Sequence, residues 1–471
     1  MRKTGSLVLL IFIFSIGRAQ VYSPSWPSLD ARPIPAWFED AKFGIFIHWG
    51  LYSVPAYRPL EKGLYASYAE WYYAKVYQNE KNGGKTFHEK NYGKDFEYRD
   101  FAPLFKAELW NPDEWAKMFK NAGAKYVVLT SKHHDGFCLW PTKSPYKKNY
   151  NSMDIGPKRD LLGDLTSAVK NSGLRMGLYY SMIEWESSKT HRTESGYYIP
   201  TNLVEKYKIP ENEYVDKHVM PQLKELVNNY KPSLIFSDAG EWDGTEEYWK
   251  TKEFLSWLYS ESPVKSEVVV NDRFAKDMPA HHGDYYSSEY NDANLTKQHP
   301  WEESRGVGGS YGYNRAENLE NYSTSRQLIV ELIDIVSRGG NLLLNVGPAA
   351  DGQIPVIMQQ RLSDIGEWLR VNGEAIYGTR KKQITKEVFE GIDIYFTQKS
   401  KNTYAVFTKW PAKMLEINLD PGASVKNISL LGVQKKVEWK LNGNKLSVFI
   451  PQLNNNELPC LHAWALKIEM N

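Results

Sequence analysis

The sequence predicts an α/β protein, a (β/α)8 TIM-like barrel over residues 20–378 followed by a C-terminal antiparallel β-sandwich over 379–471. Three observations lead there. Amphipathic helical stretches alternate with short apolar runs through most of the chain; polar and ionisable residues stand at the ends of those runs; and after Asn372-Gly373 the hydrophobic period drops to two. A doubly wound open sheet is the alternative for the first part.

The first apolar run is Lys42 to His48. Asn111-Pro112-Asp113-Glu114 then starts a helix with proline in its first turn and Trp115, Met118 and Phe119 on one face, and Gly123 stops it. The run Tyr126 to Thr130 follows and leads into Ser131-Lys-His-His-Asp-Gly136. Leu162, Leu165 and Val169 make the next apolar face, closed by Gly173 and followed by Met176 to Ser181. Val219, Leu223, Leu226, Val227 and Tyr230 form the third, and its strand ends at Asp238. Further strands are expected at Glu267 to Asn271, Tyr285 to Ser288 and Leu342 to Val346, with helices through Leu328, Leu332 and Val336 and through Met358, Leu362, Ile365 and Leu369. In the last part, Ile392, Ile394, Phe396; Tyr404, Val406, Thr408; Val437, Trp439, Leu441; and Leu446, Val448, Ile450 alternate, with a hairpin signal at Asn442-Gly443.

Composition excludes several classes. Among 471 residues, 58 Lys and Arg nearly balance 56 Asp and Glu, so the net charge of +2 favours neither nucleic acid nor an anionic membrane. The aromatic content is 14%, with 16 Trp and 31 Tyr, more than a core needs and suited to stacking against sugars. Arg2-Lys3, the apolar stretch Leu7 to Ile16 and Gly17-Arg18-Ala19 have the layout of a signal peptide over residues 1–19. No other segment approaches a membrane span. A secretory destination, lysosomal or extracellular, fits three sequons at Asn294, Asn321 and Asn427. The two cysteines, Cys138 and Cys460, are expected to be free thiols. The sequence is compatible with a homo-oligomer.

The chemistry gathers at strand ends, where a barrel keeps its reactive groups. His48 and Trp49, then His133, His134 and Asp135, then Tyr179, Tyr180 and Ser181, then Asp238, then Asn271, Asp272 and Arg273, and Glu289 all close or follow such runs. A single strand-end carboxylate is ordinarily a cap or an ion-pair partner; the coincidence of so many argues for a site. Two carboxylates flanking one bond are the minimal equipment for glycoside hydrolysis. Asp238 and Glu289 are the candidates, with Glu302 in Pro300-Trp-Glu-Glu303 as an alternative acid/base. Histidines adjacent on a strand point to opposite faces, and the zinc-protease spacing is absent, so no metal is expected. The glycines of Gly306 to Gly312 do not make a dinucleotide motif because Tyr311 takes the third glycine position, so no cofactor is expected either, and the barrel segments hold no Gly-x-Ser-x-Gly elbow.

Phe43-Gly-Ile-Phe-Ile-His-Trp-Gly50, Ala69-Glu-Trp-Tyr72, Ser131-Lys-His-His-Asp-Gly-Phe137, Gly177-Leu-Tyr-Tyr-Ser181, Leu234-Ile-Phe-Ser-Asp238 and Gly340-Asn-Leu-Leu-Leu-Asn-Val-Gly-Pro348 together resemble glycoside hydrolase family 29, the α-L-fucosidases, in its animal tissue type. The resemblance covers nearly the whole chain after the leader. It implies a barrel with a β-sandwich, a retaining double displacement, exo action on terminal fucose of fucosylated glycans, and no metal. By the same resemblance Asp238 would be the nucleophile and Glu289 the acid/base, with Glu302 the rival. His48, Glu70, Trp71, His133, His134, Tyr179, Phe236 and Arg273 would hold the sugar. Phe236 departs from the tryptophan many members carry, which keeps an apolar wall and loses an N–H donor. Competing readings are a secreted fucose-binding protein without activity and a retaining exo-glycosidase for another sugar such as galactose.

Overall fold

A computed structural model describes residues 21–63, 66–77, 83–187, 192–193, 196–197, 199–290 and 299–471. The expected leader and the Asn294 sequon lie outside them. Eight parallel strands form one curled sheet: β1 (Phe43–Ile47), β2 (Tyr126–Lys132), β3 (Arg175–Ser181), β4 (Leu234–Asp238), β5 (Val269–Val270), β6 (Tyr286–Glu289), β7 (Trp301–Gly306) and β8 (Asn341–Val346). Their spatial order is β5-β4-β3-β2-β1-β8-β7-β6. The two edge strands meet at a seam without a ladder. There the Asp284 N–H donates to the Val270 carbonyl at 2.9 Å, the Asp284 carboxylate accepts from the Val270 N–H, and the Ser287 N–H donates to Asp272.

The strands form because both of their faces are covered, which explains continuous apolar runs rather than alternation. Phe46, Tyr126, Val128, Leu234, Phe236, Val269, Tyr285 and Leu343 fill the barrel interior. Phe43, Ile45, Ile47, Val127 and Leu129 face the surrounding helices, each burial contributing roughly 1.5–3 kcal/mol. Gly44 admits Tyr126 to the interior, since a Cβ there would stand 2.4 Å from its ring. The helix expected after Asn111 runs Pro112–Asn121, its first N–H groups capped by the Asn111 side chain, with Trp115 and Phe119 buried. Helices Leu161–Asn171, Met220–Tyr230, Ser325–Ser337 and Val356–Asn372 match the other apolar faces.

Some boundaries shift, and one strand of the barrel is not expected from the sequence. Lys42 is not in a strand; it caps the preceding helix at φ 60°. The expected strand at Glu267 to Asn271 shortens to Val269–Val270, and that at Tyr285 to Ser288 moves to Tyr286–Glu289. Strand β7 escapes the sequence because Trp-Glu-Glu-Ser-Arg-Gly contains no apolar run. Its polarity is satisfied by side-chain partners: Glu303 pairs with Arg305 at 2.9 Å, Ser304 with the Tyr311 hydroxyl at 2.9 Å, and Arg305 with Glu331 at 2.8 Å.

Beyond the barrel, a five-stranded and a three-stranded antiparallel sheet enclose a second apolar core around Ile394, Phe407, Leu415, Val448 and Leu466. The expected hairpin joins Glu438–Asn442 to Lys445–Phe449, with Gly443 at φ 62°. Strands Arg380–Phe389, Ile392–Lys399, Asn402–Phe407, Met414–Asn418, Val425–Leu430 and Trp464–Met470 complete these sheets. They pack on the barrel helices through Trp368, which donates to the Ala463 carbonyl, and Arg326, which donates to those of Thr408 and His462. Asn321 and Asn427 are exposed. Cys138 and Cys460 are both free. No helix among the described residues is long and apolar enough to cross a membrane.

Just beyond the end of β3, Glu184 is wholly buried with Lys132 at 2.8 Å, His218 at 2.6 Å and Lys147 also bonded. Burial opposes its charge, but the two ammonium groups and the imidazole outweigh it and hold the carboxyl well below its usual range. Removing one partner of such a cluster strands the others in a dry environment. Glu184→Gln is therefore expected to lower the unfolding free energy by about 3–5 kcal/mol in chemical denaturation, whereas a loss below about 1 kcal/mol would show that the cluster is solvated.

Candidate active site

The strand-end residues converge on one cleft of about 500 Å³, at the barrel end where the strands terminate in their carbonyl direction. His48, Glu70, Trp71, His133, His134, Tyr179, Phe236, Asp238, Arg273 and Glu289 all line it. Glu302 does not. As the second residue of β7, it is buried in the barrel interior, where the Tyr126 hydroxyl donates to it and burial pushes its carboxyl up to about 8 against that hydrogen bond.

Asp238 closes β4 and receives three donors. The Tyr179 hydroxyl donates to Oδ2 at 2.7 Å, and Arg273 Nη1 and the Ala239 N–H approach Oδ1 at 3.2 and 3.0 Å. His134 Nε2 stands 3.7 Å from Oδ2. Strand alternation explains why Tyr179 and not Tyr180 faces the carboxylate: Tyr180 turns the other way, accepting from Lys132 and donating to Gln222.

Glu289 closes β6 and receives the Tyr68 hydroxyl at 3.0 Å. The same Arg273 Nη1 stands 3.5 Å from its Oε2. One nitrogen touching both carboxylates at 3.2 and 3.5 Å keeps their two oxygens no more than about 6.7 Å apart, the sum of the two. Burial raises the Glu289 carboxyl pKa, Arg273 opposes the rise and Asp238 adds to it. Arg273 is itself aimed by Ser287, whose hydroxyl accepts from Nε at 2.8 Å and donates to Asp272 at 2.7 Å.

Burial disfavours the charged form of two of the imidazoles, His48 and His133. Burial lowers His48 to about 4 against the Asn345 hydrogen bond, and burial with His134 and His48 nearby lowers His133 well below its usual value. A neutral imidazole can donate at one nitrogen and accept at the other, the requirement for gripping a hydroxyl. His48 Nδ1 lies 2.7 Å from the Asn345 side-chain oxygen, which leaves Nε2 as the acceptor. Glu70 accepts from the Gly312 N–H at 2.7 Å and the Ser310 hydroxyl at 3.2 Å, yet burial pushes it up to about 8. Asp135, by contrast, is structural, held by the Tyr98 hydroxyl at 2.7 Å and the Phe137 N–H at 3.1 Å. Among the described residues no group of three or more His, Cys, Asp or Glu side chains could hold a metal.

Sequence reasoning did not single out Phe46, Tyr68, Glu241, Trp242, Pro279, Ser287, Ser304 or Tyr311, which also line the cleft. Tyr68 and Tyr311 lie in loops without periodicity. Glu241 and Trp242 had a positional signal, standing three and four residues past a strand-end carboxylate. Glu241 is half-buried, with Oε2 buried and without a hydrogen-bond partner and Oε1 3.9 Å from Arg273 Nε, and burial lifts it to about 8 against the pull of Arg273.

Comparison with known proteins converges on one family. The family model described as Alpha-L-fucosidase matches residues 10–374, and that described as Alpha-L-fucosidase C-terminal domain matches 388–469. The chain is 41% identical to the human tissue alpha-L-fucosidase, covering 99% of this chain and 97% of the relative, and 41% identical to the human plasma alpha-L-fucosidase over 95% and 92%. The crystal structure of Thermotoga maritima alpha-fucosidase in complex with a mechanism based inhibitor superposes with a TM-score of 0.81 at 39% identity, covering 95% of this chain and all of that one. The parallel sheet, the second antiparallel unit and a cleft built on paired carboxylates thus belong to a glycoside hydrolase, and the chain is a member of the α-L-fucosidase family.

Proposed function

We propose that this fucosidase is a retaining exo-glycosidase that removes terminal α-L-fucose from glycoproteins, glycolipids and oligosaccharides, with Asp238 as nucleophile and Glu289 as acid/base. The observation that carries the reading is Arg273 Nη1, within 3.2 Å of one carboxylate and 3.5 Å of the other. Retaining enzymes hold their carboxyls about 5–5.5 Å apart and inverting ones about 6.5–9.5 Å. An upper bound near 6.7 Å supports the shorter class.

In the first step an Asp238 oxygen bonds to the anomeric carbon while the carbon–oxygen bond to the aglycone breaks, and Glu289 gives its proton to the departing oxygen. The product is a fucosyl ester on Asp238 of inverted configuration. In the second step Glu289, now a carboxylate, takes a proton from water as that water attacks the anomeric carbon. The ester bond breaks, and α-fucose and the Asp238 carboxylate are restored. His48, Glu70, His133 and His134 supply hydroxyl partners, while Trp71 and Phe236 offer an apolar wall to the ring face and to the methyl group of a 6-deoxy sugar.

A secretory route, ending in the lysosome or outside the cell, is supported by the charged start, the Leu7 to Ile16 stretch and the sequons; a mature chain beginning at Gln20 is the form it implies.

Asp238→Asn is expected to lower kcat at least about 10⁴-fold. Glu289→Ala, assayed with an activated aryl fucoside, is expected to recover with azide and to yield the azide of retained α configuration. Rescue of Glu302→Ala in place of Glu289→Ala would move the acid/base to β7. Because Glu289 must be protonated to act and its pKa is raised, kcat/KM for an unactivated fucoside is expected to fall as pH climbs through a value above the usual carboxylate range. That alkaline limb should vanish in Glu289→Ala with the activated substrate, whose leaving group needs no proton. A limb that stays in place belongs to another group.

A further inference from the structure

Trp242 is 40% exposed, the one tryptophan among the described residues that stands out into solvent. A single exposed apolar side chain is unremarkable on a protein surface; this one lines the mouth of the catalytic cleft. Its ring lies 6.0 Å from that of Trp71 and 5.3 Å from that of His134. The two indoles therefore make a corner, Trp71 half-buried toward the sugar pocket and Trp242 open toward solvent.

The backbone beneath Trp242 is pinned on both sides. Ala239 sits at φ 62°, and a Cβ on Gly240 would meet the Phe274 carbonyl oxygen at 2.4 Å and that of Arg273 at 2.7 Å. The Gly240 carbonyl accepts from Trp249 Nε1 at 3.0 Å, and the Gly244 carbonyl accepts from the Lys276 N–H at 2.8 Å. The loop carrying Arg273 thus also fixes the turn carrying Trp242. An exposed indole held in this way presents a rigid flat face at little entropic cost.

An exo-acting site takes one terminal sugar into the pocket and leaves the bond to be cut pointing toward the mouth. We propose that Trp242 is the platform for the sugar that bears the fucose, so that the cleft recognises a pyranose leaving group by the apolar C–H face of its ring. This rests on the hydrolytic reading above and adds a specificity determinant to it. Aromatic stacking of this kind acts on the transition state only when the leaving group has a ring to stack.

The test compares two substrates in one protein sample, a fucosyl-galactose disaccharide and α-L-fucosyl fluoride, whose leaving group has no ring. In Trp242→Ala the ratio of kcat/KM for the disaccharide to that for the fluoride is expected to fall about 10-fold, and Trp242→Phe, which keeps a ring, should recover most of it. The ratio is unaffected by any misfolded fraction, since both rates scale with active enzyme. An unchanged ratio in Trp242→Ala, with the unsubstituted enzyme turning over both substrates, overturns the platform alone. Failure of the unsubstituted enzyme on both substrates overturns the hydrolytic reading beneath it.

Discussion

Everything in the cleft depends on a single guanidinium. Arg273 stands between Asp238 and Glu289, two carboxylates that would repel by about 2.5 kcal/mol at 6.7 Å and an effective dielectric constant of 20 if both were charged. The arginine makes their proximity tolerable. Asp238 collects Tyr179, Ala239 and Arg273, and Glu289 collects Tyr68 with the same Arg273 at the longer distance. Donors stabilise the ionised form and burial disfavours it; at Glu289 burial raises the carboxyl pKa, Arg273 opposes the rise and Asp238 adds to it. In the proposed mechanism these two side chains serve as nucleophile and acid.

The scaffold serves this arrangement by placing each partner on a different strand end. Asp238 and Tyr179 come from neighbouring strands β4 and β3, and Glu289 comes from β6 across the seam. Arg273, in the loop between β5 and β6, reaches both sides and is aimed by Ser287 and Asp272. The seam has few backbone bonds and is joined largely by these polar side chains. Barrel closure and active-site assembly are therefore one structural event.

Much of this was legible in the sequence, for identifiable reasons. Strands buried on both faces leave apolar runs, and a barrel gathers their ends, so His48, His133, Asp238 and Arg273 could be placed together before any coordinates. Strand β7 was hidden because its polar residues are satisfied by partners distant in sequence, such as Glu331 for Arg305 and Tyr126 for Glu302. Position along the strand separates Glu289 from Glu302: Glu289 ends β6 and reaches the cleft, whereas Glu302 is the second residue of β7, in register with Ser287, and stays in the barrel interior. Tyr68 and Tyr311 lie in irregular segments where spacing carries no information about direction, and Glu241 lies in the short helix Gly240–Asp243 just past β4.

In the proposed mechanism Asp238 forms a covalent bond to fucose. Incubation with 2-deoxy-2-fluoro-α-L-fucosyl fluoride, whose 2-fluoro group slows both steps while its reactive fluoride leaving group keeps the first fast enough for the ester to accumulate, followed by peptide mass spectrometry, detects that bond. One fluorofucosyl group on the peptide carrying Asp238 is expected. A label on any other residue, or steady turnover of the reagent with release of the β anomer and no label, would contradict it.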